Sequence, residues 1–158
     1  LGPDAAERLS AGVYGALVAA TTLIGASDKS FGQLIWIVVA TNLVYYATHV
    51  FAYTIGSSPA DPSQAESLGA VIRHHLVVSA PIASAAFIPL IVVIVLELCG
   101  VDQTPAVFFG VVAGALGLAT TATSSVYLRG VRGVRLLLVA IAALIVAGLL
   151  VAAKLALH

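Results

Sequence analysis

Polar residues fall along this chain in clusters, and between the clusters run apolar stretches far longer than a strand or a core helix requires. A helix needs about 20 apolar residues, each rising about 1.5 Å, to cross a hydrocarbon core of about 30 Å. Five stretches meet that length, over about 10–27, 31–56, 76–98, 105–128 and 134–157. They lack the alternation of barrel strands, and unpaired strands would leave backbone groups without partners in lipid. The predicted class is all-α, a polytopic transmembrane helix bundle of five spans forming one domain over 1–158. The one long connection, 57–75, contains Pro59, Pro62 and a cluster of turn-formers. Asp61 before Pro62, or Ser63 with Glu66 three residues on, supplies a helix start. A short cytoplasmic interfacial helix is therefore predicted over about 62–75, before the third span. It reads as a linker at headgroup level or as a partner-docking element.

Composition agrees with a lipid solvent: 61% of the 158 residues are hydrophobic and 9% are charged. Seven basic and seven acidic residues give no basic footprint, so nucleic acid is not an expected partner. A single cysteine, Cys99, allows neither an internal disulfide nor a thiolate metal site within one chain. No cofactor or metal is expected. Methionine is absent, and Leu1-Gly2-Pro3 reads as a tag remnant, set aside from fold reasoning. Charge does fix an orientation. With five spans, Arg8, Arg73, Arg129, Arg132 and Arg135 share one face, and only Lys29 and Lys154 lie on the other. The positive-inside rule makes the arginine face cytoplasmic. The expected location is a cell membrane of the bacterial inner-membrane type, multi-pass, with the N-terminus cytoplasmic and the C-terminus outside. If the first span were removed as a signal sequence, the remaining four helices would keep the same orientation.

Small residues predict where helices touch: Gly110, Gly114 and Gly117 on the fourth span, and Ala140, Ala143, Ala147 and Gly148 on the fifth. Such a seam serves either the bundle itself or a homo-oligomer. Pro81 and Pro89 predict kinks in the third span. Polar residues within spans carry the functional expectations, because they are costly in hydrocarbon unless paired or wet. On the second span Asn42, Tyr46, His49 and Tyr53 share a helix face, with Tyr45 nearby. On the fourth span, Thr120 and Ser124, with Thr121, Thr123 and Ser125, offer hydroxyls at matching depth. This group reads as a ligand or proton pathway, or as a satisfied histidine joining helices. An outer charged group comprises Glu97, Lys154 and His158, with Asp28, Lys29, Gln33 and Asp102 at similar height. It reads as interfacial anchors or as an entrance ring. Arg73, His74 and His75 form a cytoplasmic interface group suited to lipid phosphates, and Arg129, Arg132 and Arg135 a basic turn.

Neither GxSxG nor HExxH occurs, and no acid pair or nucleophile beside a base is visible, so no catalytic residue and no enzymatic activity is expected. The spans show no internal repeat of the inverted-transporter kind. Four pieces, Val13-Tyr14-Gly15-Ala16-Leu17, Thr48-His49-Val50-Phe51-Ala52, Arg73-His74 and Lys154-Leu155-Ala156-Leu157-His158, carry a resemblance. Together they resemble a group of small, uncharacterised integral membrane proteins of actinobacteria. The resemblance implies no activity, and it draws attention to His49, His74, Lys154 and His158. Two functions fit the sequence. One is a permeation protein for protons, ions or a small solute, built on the His/Tyr/Asn stripe. The other is a noncatalytic accessory or scaffold subunit, with the lipid bilayer and a second membrane subunit as partners. A water-accessible cavity reaching His49 favours the first, and a dry, fully bonded network favours the second.

Overall fold

Helix limits follow local chemistry closely in the computed structural model, which describes residues 3–56 and 67–156. Helix α1 (Pro3–Gly25) opens on a proline, which lacks an N–H where a helix would leave one unused. Helix α2 (Phe31–Gly56) begins after Ser30, whose N–H donates to Gln33 Oε1 at 3.4 Å, one half of a capping box. Helix α3 (Leu68–Ser84) is capped by Ser67, whose Oγ accepts from the Ala70 N–H at 3.3 Å. Helix α4 (Phe87–Leu98) follows a two-residue break at Ala85 and Ala86. Helices α5 (Gln103–Leu128) and α6 (Val134–Ala156) complete the chain. Among the described residues there is no strand.

Two turns owe their shape to glycines with left-handed backbone. Gly100, at φ 81°, donates to Glu97 O at 3.0 Å, and Val101 donates to Leu96 O at 3.0 Å, closing α4 with a Schellman motif. Gly130, at φ 86°, ends α5 in the same way, with Val131 donating to Val126 O at 3.3 Å.

The long apolar runs are helical, and four of them, Glu7–Gly25, Phe31–Gly56, Leu68–Leu98 taken across the break, and Gln103–Leu128, are long and apolar enough to cross a bilayer. The third therefore starts at Leu68, eight residues before the sequence limit. Residues 68–75, expected in a separate interfacial helix, are the opening turns of α3, with no break before Leu76. The rest of that expected helix, 62–66, lies outside the described residues. The break after Ser84 lies where Pro89 demands it. Pro89 supplies no N–H to the carbonyl four residues earlier, that of Ala85, and its ring crowds that carbonyl.

Helix α1 sits centrally, packed on α2, α3 and α5, while α4 and α6 pack on α5 and α3 packs on α2. Asp4 of α1 meets His74 of α3 at one end, and Gln103 Nε2 donates to Lys29 O at 2.6 Å at the other. Successive passes thus alternate in direction and gather the five arginines at one end, called here the arginine end. The apolar core fills the opposite half, from Leu23 on α1, Leu34 and Val38 on α2, Leu90 and Val93 on α4, and Val107 and Val111 on α5. Small residues set the helix spacing. Gly110 and Gly114 are buried against Pro89, Val93 and Ala20, so the fourth-span glycine seam serves the bundle itself. On α1, Gly15 lies against the Ile82 backbone, with no room for a Cβ.

A membrane groove joining Glu7 to His49

Two helix faces of unlike character converge at the arginine end. On α1, Glu7, Ser10, Ala11 and Tyr14 recur at the three- and four-residue spacing of one helical face. On α2, Tyr45, Thr48, His49 and Ala52 do the same. Because α1 and α2 pack antiparallel through a short turn, these faces enclose a half-open groove of about 340 Å³, with Tyr53 at its margin. The Tyr14 and Tyr45 rings meet edge to face at 5.7 Å. His49 and Tyr53 lie 4.5 Å apart between ring centroids, and Tyr53 reaches His75 of α3 at 5.7 Å. His74 continues the series, 5.3 Å from His75 and 3.8 Å from Asp4 Oδ1. A relay of rings and carboxylates therefore joins the groove to the start of α3.

Glu7 gives the groove its chemistry. Its Oε1 is buried and, among the described residues, accepts no hydrogen bond, an arrangement that leaves a carboxylate in want of a proton, cation or donor. Glu7 and His49 line the same groove. An ionised carboxylate only accepts, whereas a neutral imidazole both donates and accepts, so the two offer complementary hydrogen-bonding groups to a molecule in the groove. The groove also falls within the size range of small-ligand pockets.

The sequence stripe divides once folded. His49 and Tyr53 reach the groove, but Tyr46 turns to α3, where its hydroxyl donates to Leu76 O at 3.0 Å. Asn42 is 1% exposed, and its Nδ2 donates to Val38 O at 3.0 Å while its Oδ1 has no partner. Ser79 on α3 is fully buried, and its Oγ is likewise unpartnered. The expected α5 hydroxyls do not join His49, because α1 intervenes between α2 and that part of α5. Thr120 is exposed and donates to its own helix at Leu116 O, 2.9 Å, and Ser124 is also exposed. Ser125 donates to Ala122 O at 2.7 Å.

At the arginine end, Arg73 and His74 are exposed, whereas His75 is buried with its ring 5.7 Å from that of Tyr53. Arg132 stacks on Tyr127, 3.6 Å from the ring centroid, and donates to the Tyr127 carbonyl at 2.9 Å. At the far end, Glu97 is half-buried with Oε2 unpartnered. The Lys154 side chain and His158, expected beside it, lie outside the described residues. Among the described residues, no group of three His, Cys, Asp or Glu converges as a metal site.

Sequence reasoning missed Glu7, which reads as part of the charged flank before the first span. Its signal is the Glu7-Ser10-Tyr14 face, visible once α1 is extended back to Pro3. No family model matches this chain, and no significant match was found among curated proteins or solved structures.

Proposed function

We propose that this chain is a five-span cell-membrane protein, N-terminus cytoplasmic and C-terminus outside, that passes protons, ions or a small polar solute and catalyses no reaction. In this reading α6 is the fifth span, and the arginine end faces the cytoplasm because basic residues are retained there. The groove is the cytoplasmic access site, with Glu7 and His49 as its proton- or cation-accepting pair. The observation that carries the proposal is a water-sized opening that reaches His49 beside a buried carboxylate oxygen with no partner. An ionisable side chain within a candidate span, with an oxygen unpartnered among the described residues, is by default a functional-site candidate. Asn42 and Ser79, deeper on α2 and α3, extend the series of unpartnered polar atoms toward the far end.

A second reading, an accessory or scaffold subunit, is favoured by the far half of the bundle, where Leu23, Leu34, Val38, Val93 and Val107 pack into an apolar core. Under the permeation reading that core is a closed gate.

The test is proton and cation flux into proteoliposomes of verified orientation, comparing the unaltered chain with Glu7→Gln and His49→Ala. Flux above that of empty vesicles, reduced in both variants, supports the permeation reading. Absence of flux under every gradient and pH favours the accessory reading.

A further inference from the structure

A second opening lies on the other side of α1. There a cavity of about 280 Å³ runs between α1, the α3–α4 break and α5, bounded by Gly12, Pro81, Ile88 and Gly117; its polar side chains are Arg8, Thr121 and Ser84, whose hydroxyl donates to the Pro81 carbonyl at 3.4 Å. The slot has a structural cause. Glycines on α1 and α5 supply no side chain to fill it, and the helix is interrupted beside it at Ala85 and Ala86. Its walls lie within candidate spans, so its natural neighbour is lipid, not water.

Charge selects the kind of lipid. Arg8 is exposed and makes no ion pair or hydrogen bond among the described residues. Of the nearby acids, Asp4 meets His74, and Glu7 lines the His49 groove and not this slot. A guanidinium in this position presents a fork of donors suited to two phosphate oxygens. The Thr121 hydroxyl is a further donor at the same cavity.

We infer that this slot binds an anionic phospholipid, its phosphate on Arg8 and Thr121 and one acyl chain between Gly12, Pro81, Ile88 and Gly117. The inference rests on membrane placement but not on the permeation reading, and its readout is lipid binding, not flux.

Phosphatidylglycerol and phosphatidylcholine are titrated separately onto the full chain in detergent, and bound lipid is counted by native mass spectrometry. The expected result is one saturable phosphatidylglycerol site, with phosphatidylcholine binding about tenfold weaker, because both lipids offer a phosphate but the choline cation cancels its charge and repels Arg8. Arg8→Gln should abolish that preference, while Arg135→Gln, a change at the same end outside the slot, should preserve it. Gly117→Leu should remove binding of both lipids by filling the slot; a Cβ there meets only Ile88 Cδ1, at 3.9 Å, so the helix seam tolerates it. Equal affinity for the two lipids overturns the inference, as does equal loss in Arg8→Gln and Arg135→Gln, which would signal diffuse attraction. Inorganic phosphate competing as strongly as the lipid would also overturn it, because the acyl chain would then contribute nothing.

Discussion

Replacing Gly15 with alanine tests the helix seam that holds the groove walls in register. An ideal Cβ at this position would stand against the Ile82 carbonyl oxygen, 2.6 Å from Ile82 Cα and 2.9 Å from its carbonyl carbon. All three atoms are backbone, so no side-chain rotation relieves the clash, and α1 and α3 must separate. Overpacking a tight interior typically costs 1–3 kcal/mol, and a rigid backbone neighbour places this case near the top, at about 3 kcal/mol. The control is Gly12→Ala, three residues earlier on α1, where the new Cβ would lie 3.5 Å from Pro81 Cβ, an ordinary contact. Both changes remove one glycine from α1 and gain similar helix propensity, about 1 kcal/mol in water, so the difference between them isolates the seam. Unfolding in mixed micelles with increasing SDS, followed by circular dichroism, should place Gly15→Ala about 3 kcal/mol below Gly12→Ala. A difference below about 0.5 kcal/mol would refute the close approach of α1 to α3. Because Tyr14 adjoins Gly15, the same variant should also loosen the 5.7 Å contact between Tyr14 and Tyr45.

Three further outcomes are expected. Tyr46→Phe removes the bond from the phenol to Leu76 O and should cost about 0.6 kcal/mol, the average for hydrogen bonds between membrane helices, in the same SDS titration. Asn42→Leu removes a buried acceptor that has no partner, so stability should hold or rise by about 1 kcal/mol; a loss above about 2 kcal/mol would mean that Asn42 is satisfied by bound water. Gly100→Ala forces an L side chain into φ 81° at the end of α4 and should cost about 1–2 kcal/mol, measured by thermal unfolding against Gly148→Ala as control.

The helical class, the limits of α2 and the start of α6 were legible in the sequence. They depend on a quantity that adds up along the chain, the length of each apolar run against bilayer thickness. Pro89 likewise announced its break, because a missing N–H is a local fact. The groove was not legible in the same way. His49 and Tyr53 were found because a polar stripe is visible on one helix. Whether Tyr46 faces the groove or α3, whether Thr120 meets His49, and whether Glu7 belongs to the site depend on which helices become neighbours. That choice is made by close approaches such as Gly15 of α1 on Ile82 of α3 and Gly110 of α5 on Val93 of α4. Sequence periodicity gives the face of each helix; only the packing decides what that face meets, since a side chain's partner in lipid is set by the helix beside it and not by its own residue type.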